Sequence, residues 1–194
     1  MIWAVILSAG ESRRMGVQKL LLPFRETTII ESVVQTALDS SVDGVLVVLG
    51  ADREAIKEQL RRYPVSQVVN AGYREGMLSS IQVGLRALPQ SARAAAVMLG
   101  DQPSVNSVIT DELIGAYQKT RKGIVIPVCG GRRGHPVIID TKYTKEILGL
   151  GPEAGLRQLN RNHPDDVLEV EFPFESVLRD IDTPDDYAEE TNKG

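Results

Sequence analysis

The residues best suited to chemistry cluster near the start of the chain, in Leu7-Ser-Ala-Gly-Glu-Ser-Arg-Arg-Met-Gly16, closed by Lys19. Glycine lets backbone approach an anion closely, and successive amide N–H groups form an anion-binding nest. Arg13 or Arg14 and Lys19 add full charges able to span several phosphate groups. Two better-known phosphate loops do not fit. A Walker loop ends in Gly-Lys-Ser/Thr, but Gly16 runs into Val17-Gln18. A dinucleotide loop has two glycines one residue apart, but Gly10 is followed by Glu11-Ser12. A long solvated loop is the ordinary alternative.

Four further segments carry candidate groups. Leu99-Gly-Asp-Gln-Pro103 ends an apolar run, which puts Asp101 where a carboxylate can hold a hard cation; a structural Gly-Asp-x-Pro turn is the plainer reading. Asn70 to Leu85 reads as a strand end, a glycine loop and a helix starting near Gly76, with Ser79 and Ser80 available to cap it. Asp182-Thr-Pro-Asp185 is a good helix start, with Thr183 as cap and Pro184 in the first turn. That cap leaves Asp180 and Asp182, just ahead of it, unexplained. In Arg132-Arg-Gly-His-Pro136, His135 could be a base, a ligand to a substrate or a hydrogen-bonded turn residue.

These groups need a frame. Apolar runs predict strands at Ile2–Leu7, Gly44–Leu49, Gln67–Val69, Ala95–Leu99, Ile124–Pro127, Pro136–Ile139 and Val167–Glu171. Helical spacing predicts Ile29–Leu38, Arg53–Arg62, Met77–Leu88 and Asp111–Thr120 between them, and a short helix near Glu153–Leu159. Strands apolar throughout, such as Val45-Leu-Val-Val-Leu49, belong in a sheet covered on both faces. The expected fold is α/β: one doubly wound, mostly parallel sheet in a single domain over residues 1–194. The run Ile124–Ile139, with its Gly130-Gly131 turn, breaks the alternation and predicts a small antiparallel arm or lip over the site. Ligands in such sheets sit beyond the strands' carboxyl ends, which singles out the residues after Leu7 and Leu99.

Bulk properties narrow the partners. A net charge of −4 argues against nucleic-acid binding but not against a small polyanion in a local positive pocket. The lone Cys129 allows no intrachain disulfide, and the apolar start is too short to span a bilayer. A cytoplasmic protein without membrane contact is expected. Two histidines and one cysteine so spaced make no transition-metal site.

The loop Leu7-x-Ala-Gly-x-Ser-x-Arg-Met-Gly16 with Lys19 closely resembles the signature of the MobA-like nucleotidyltransferases, the branch containing molybdenum cofactor cytidylyl- and guanylyltransferases. The resemblance implies a Rossmann-like nucleotidyltransferase fold. It also implies a loop in which Leu7, Ala9, Gly10, Ser12 and Gly16 wrap the triphosphate while Arg14 and Lys19 neutralise it. Leu99-Gly-Asp-Gln-Pro103 resembles the family's Gly-Asp-Gln/Met-Pro motif, which makes Asp101 a Mg²⁺ ligand. The segment from Asn70 to Ser80 is similar to one lying against the nucleoside, with Ala71 where proline is usual. It nominates Asn70, Gly76 and Ser80 for base and ribose contacts. The segment at Asp180–Asp186 resembles a family motif that completes the Mg²⁺ site, and Asp182 maps there. Gly-x-x-Gly-His-Pro136 is similar to an acceptor-facing segment of cytidylyl members, which nominates His135 for acceptor binding.

The implied activity is Mg²⁺-dependent nucleotidyl transfer. Guanylyl members carry a second glycine where Ala9 stands, so a side chain there tilts the donor toward CTP. With Gly-His-Pro136 this favours CMP transfer to a molybdopterin-type acceptor, with a molybdenum hydroxylase or its chaperone as eventual recipient. GMP transfer, or transfer to another phosphorylated acceptor, is the alternative within the class. A different class, NAD(P)-dependent oxidoreductases, is represented among relatives of this branch, but no Asp/Glu-tipped second strand of the Rossmann type is visible. A non-catalytic nucleotide-binding protein would have no need of metal-holding carboxylates.

Overall fold

The computed structural model describes residues 1–192. In chain order the elements are β1 (Ile2–Ser8), β2 (Pro23–Phe24), β3 (Thr27–Thr28), α1 (Ile29–Leu38), β4 (Gly44–Leu49) and α2 (Arg53–Gln59). Then come β5 (Ser66–Val69), α3 (Met77–Ala87), β6 (Ala94–Leu99), α4 (Ser107–Thr120), β7 (Ile124–Cys129) and β8 (Arg132–Arg133). The chain closes with β9 (Val137–Asp140), α5 (Thr144–Gly149), α6 (Gly155–Asn162), β10 (Val167–Glu171) and α7 (Pro184–Thr191).

The main sheet runs β10-β7-β9-β6-β1-β4-β5, with β8 on the edge of β7. Pairing is parallel from β6 through β1 and β4 to β5, and between β7 and β10. Side chains alternate between two covered faces. Ala4, Ile6, Val45, Val47 and Met98 pack under α1 and α2, while Ala94, Ala96 and Val125 meet α4. Val5, Val48, Ala95, Val97 and Ile126 lie under α3, α5 and α6. This is the doubly wound α/β sheet expected from the sequence.

Helix starts follow local chemistry. Thr28 accepts from Glu31 N–H while the Glu31 carboxylate accepts from Thr28 N–H, a reciprocal box that fixes the start of α1. Asn106 caps α4 one turn before the expected start, and Thr183 with Pro184 opens α7 as expected. The six-residue α5 is too short for periodicity to reveal.

One expectation about placement is corrected. The antiparallel pairing around the Gly130-Gly131 turn exists, as β7 with β8, and a second small antiparallel pair is formed by β2 and β3. The strand that follows the turn is no lip over the site, however. β9 is inserted between β6 and β7, antiparallel to both. Val137, Ile138 and Ile139 are all buried, so both faces of this strand demand cover and only the sheet interior provides it. Among the described residues no helix is long and apolar enough to cross a membrane.

Candidate active site

The chain runs from β1 outward to β4 and β5, then returns to the other side of β1 to form β6. That reversal leaves a crevice between the carboxyl ends of β1 and β6, whose last paired residues are Leu7 and Leu99. The glycine loop leaves one lip and Gly100-Asp101 the other. Gly100 N–H donates to Leu7 carbonyl at 3.0 Å, and a Cβ at Gly100 would lie 2.7 Å from Ser8 Oγ. Only glycine fits so close to the neighbouring backbone.

Side chains within the loop hold its shape. Ser12 takes φ +50 and Gly16 φ +70, which fold the loop back on itself. Gln18 acts as a buckle. Its amide donates to Asp52 at 3.0 Å and to Gly10 carbonyl at 3.4 Å, and its oxygen accepts from Ser12 Oγ at 3.0 Å. Ser12 Oγ in turn accepts from Lys19 N–H at 3.2 Å. Glu11 ties the loop to the turn before α3, accepting from Arg74 at 2.9 Å as well as from its own neighbour Arg13 at 2.7 Å.

Two adjoining clefts open at the crevice. The first, about 370 Å³, is lined by Gly10, Ser12, Arg14, Lys19, Asp101 and Asp182, among others. The second, about 380 Å³, shares Leu7, Arg14, Asp101 and Asp182 and adds Ala9, Tyr73, Gly76, Met77, Ser80 and Asp180. Ala9 is 7% exposed and packs against Gly50, where a Cβ would lie 2.7 Å from Ala9 Cβ. Its side chain is therefore a fixed part of the wall.

At the junction of the clefts stands a compact charge group. Lys19 Nζ lies 2.6 Å from Asp101 Oδ2 and 2.9 Å from Asp182 Oδ1, and Arg14 reaches Asp182 Oδ2 at 2.7 Å. A main-chain bond from Ile181 N–H to Asp101 carbonyl, 3.0 Å, docks the segment before α7 onto the end of β6. Burial alone would lower the pKa of the Lys19 ammonium, but the two carboxylates outweigh it and leave it raised. Burial pushes Asp182 up, while Lys19 and Arg14 bring it below the ordinary carboxylate value. Asp180 is raised, by burial first and by the charge of Asp101 next. Two carboxylates converging on one point suit Mg²⁺, which takes one or two protein carboxylates and leaves its remaining positions to phosphate and water. Among the described residues no group of three or more His, Cys, Asp or Glu is placed to hold a metal.

The structure distributes the other sequence candidates differently. Gly76 and Ser80 line the second cleft, but Asn70 stands behind its wall. Asn70 is 2% exposed, spends both amide protons on Ser79 Oγ and Ser80 Oγ, and accepts from Gly72 N–H. It positions Ser80 rather than facing the cleft. Gly16 shapes the loop without lining either cleft. His135 lines neither cleft; its N–H donates to Val177 carbonyl at 2.9 Å, and its ring meets no hydrogen-bond partner among the described residues. Burial pushes its imidazole down to about 4. Sequence reasoning missed Gln18, Glu11, Tyr73 and Met77. A glutamine just ahead of the apolar run Leu20-Leu-Leu22 was the one available signal.

The family model described as MobA-like NTP transferase domain matches residues 4–167. The chain belongs to that family. It is a nucleotidyltransferase of MobA-like type. It is 25% identical to the molybdenum cofactor cytidylyltransferase of Escherichia coli, covering 94% of this chain and 92% of that protein. It is also 30% identical to a nicotine blue oxidoreductase of Paenarthrobacter nicotinovorans over the same shares. The structure of Rv0371c from Mycobacterium tuberculosis, 27% identical, superposes with a TM-score of 0.87 over 98% of this chain and 97% of that one. Another structure of Rv0371c, TM-score 0.82 at 25% identity over 100% and 99% of the two chains, is described as a complex with manganese.

Proposed function

We propose that this protein transfers CMP from CTP to a molybdopterin-type acceptor, releasing pyrophosphate, with Mg²⁺ held by Asp101 and Asp182. The observation that carries the reading is the junction of Lys19, Arg14, Asp101 and Asp182 between two clefts that share it. A bound Mg²⁺ would neutralise charge on the triphosphate and hold its oxygens in place. The chain's own work is positioning and electrostatics. The glycine loop presents N–H groups to the triphosphate, and Lys19 and Arg14 supply positive charge to it in the first cleft.

A terminal phosphate of the acceptor needs no base, being ionised at neutral pH. One of its oxygens attacks the α-phosphorus, a new P–O bond forms, and the bond to the β-phosphate breaks in line. Ala9, fixed against Gly50, narrows the wall of the second cleft and supports a pyrimidine over a purine. Ser80 and Gly76 contact the nucleoside there, with Asn70 behind them as a positioning residue. His135 acts on the acceptor indirectly, through the hydrogen bond that its N–H donates to Val177 carbonyl. The whole chain works as one domain in the cytoplasm, and a molybdenum hydroxylase or its chaperone receives the product.

The likeness to a nicotine blue oxidoreductase supports a second reading, hydride transfer from a nicotinamide cofactor. Hydride transfer has no use for the Asp101–Asp182 pair. Purified protein, Mg²⁺, molybdopterin and each NTP in turn separate the two. Pyrophosphate release with CTP above the other nucleotides, lost in Asp101→Ala, is the expected result. No release with any NTP, together with NAD(P)H oxidation, would overturn it.

A further inference from the structure

The first cleft balances its own charges. It is lined by three cations, Arg13, Arg14 and Lys19, and by three carboxylates, Glu11, Asp101 and Asp182. They are also paired off. Arg13 sits on Glu11, Arg14 on one oxygen of Asp182, and Lys19 bridges Asp101 with the other oxygen of Asp182. The Lys19 side chain is only 10% exposed, so its ammonium fills the point where the two carboxylates converge.

We infer that Lys19 and Arg14 act as an internal stand-in for the divalent cation, and that metal and triphosphate enter together by exchanging partners with this quartet. This rests on the reading of Asp101 and Asp182 as the cation's ligands. A free divalent cation must displace Lys19 and leave an ammonium stranded in a partly buried place. A free triphosphate must draw Lys19 and Arg14 away and leave two adjacent carboxylates uncompensated. Each single step breaks a partly buried ion pair without replacing it, which is the costly case. The chelate of the two costs neither: the carboxylates pass from ammonium to metal as the side chains pass to phosphate. Each ligand therefore favours the other through the same two side chains, and that coupling is reciprocal.

Mn²⁺ binding tests this without any turnover. The full chain is titrated with Mn²⁺, first alone and then with saturating CTP and no acceptor. Protein-bound metal is what equilibrium dialysis retains with the chain above a CTP-only blank, read by its electron paramagnetic resonance signal after acid release. Wild type is compared with Lys19→Met, Arg14→Met and Arg13→Met. The Arg14 side chain is 67% exposed and that of Arg13 78%, so neither replacement disturbs the core; a circular dichroism melt checks Lys19→Met.

Without nucleotide, Lys19→Met and Arg14→Met should bind Mn²⁺ more tightly than wild type, by between about 5- and 150-fold for Lys19→Met. Arg13→Met, which loses the same charge from a screened surface pair, should stay within about twofold. CTP should tighten Mn²⁺ binding strongly in wild type and much less in Lys19→Met. Should the Lys19 and Arg14 variants bind no more tightly than wild type, or no more tightly than Arg13→Met, the exchange is overturned while the cation site stands. Should no protein bind Mn²⁺ even with CTP, the exchange and the reading beneath it fall together.

Discussion

Lys19 and Asp101, 82 positions apart in the chain, meet at 2.6 Å across the split between β1 and β6. The pair joins the two lips of the crevice, one grown from each central strand. Replacing Asp101 by Asn keeps size and leaves the main-chain bond from Ile181 intact while removing the charge. Pyrophosphate release should fall about 10²–10³-fold, the typical loss for one electrostatic contact in a transfer site. A fall smaller than about tenfold would remove Asp101 from the proposed machinery.

The root of the glycine loop offers a steric test. A Cβ at Gly50 would lie 2.5 Å from Ala9 carbonyl oxygen, so Gly50→Ala must push the loop outward. Overpacking of this kind costs about 1–3 kcal/mol, and KM for the nucleotide should rise with it. Gly115, exposed on α4, has open space where a Cβ would stand, with nothing within 4 Å. Gly115→Ala should therefore gain roughly 0.5–1 kcal/mol of helix stability with unchanged kinetics. Equal melting points for the two variants would contradict this contrast.

His135 sets a pH dependence. Burial holds its imidazole at about 4 in the folded chain, against 6.5 for the free side chain. Between those values the unfolded chain binds the additional proton, so stability is full above 6.5 and falls as pH drops toward 4. Melting curves of wild type and His135→Gln across that range should diverge as pH is lowered, the variant losing less. Parallel curves would show that His135 is hydrated enough to titrate normally.

Glu31 is the stability anchor of α1. Its carboxylate is 2% exposed and accepts from Thr28 N–H, from Gln59 at 2.8 Å and from Arg62 at 2.8 Å. Burial would raise its pKa, but these donors hold it below the ordinary glutamate value. Its contribution is then present above the unfolded pKa and lost as pH falls through the folded one. Glu31→Ala strands several donors at once and should cost about 2–4 kcal/mol, seen as a lower urea midpoint with an unchanged slope. Turnover per folded molecule should hardly move.

Much of this arrangement was legible in the sequence. The central strands are apolar throughout because both sheet faces are covered, and β4 and β10 begin and end where the apolar runs do. Asp182 stands ahead of a complete helix cap with no local work to do, whereas Asp101 by itself reads as a turn residue and is singled out by the resemblance of Leu99-Gly-Asp-Gln-Pro103 to the family motif. Direction did not show: Val137-Ile-Ile139 reads the same whether its strand runs parallel or antiparallel, so its insertion between β6 and β7 was invisible. Nor did the inward use of polar groups show. Asn70 resembles a ligand contact in sequence, and only the placement of Ser79 and Ser80 one helical turn into α3 reveals that its amide is already spent.

The hydrogen bond from Ile181 N–H to Asp101 carbonyl has a consequence for how this enzyme is assembled. The family match stops at residue 167, yet Asp182 lies beyond it, in a segment docked beside β6 by this bond, by Gln102 donating to Asp180 at 2.6 Å and by the fully buried Ile181. The sheet can thus be complete before the site is. The second carboxylate of the proposed cation site arrives with the final stretch of chain, which works as a clasp: until it closes, the frame is finished and the proposed site has Asp101 alone.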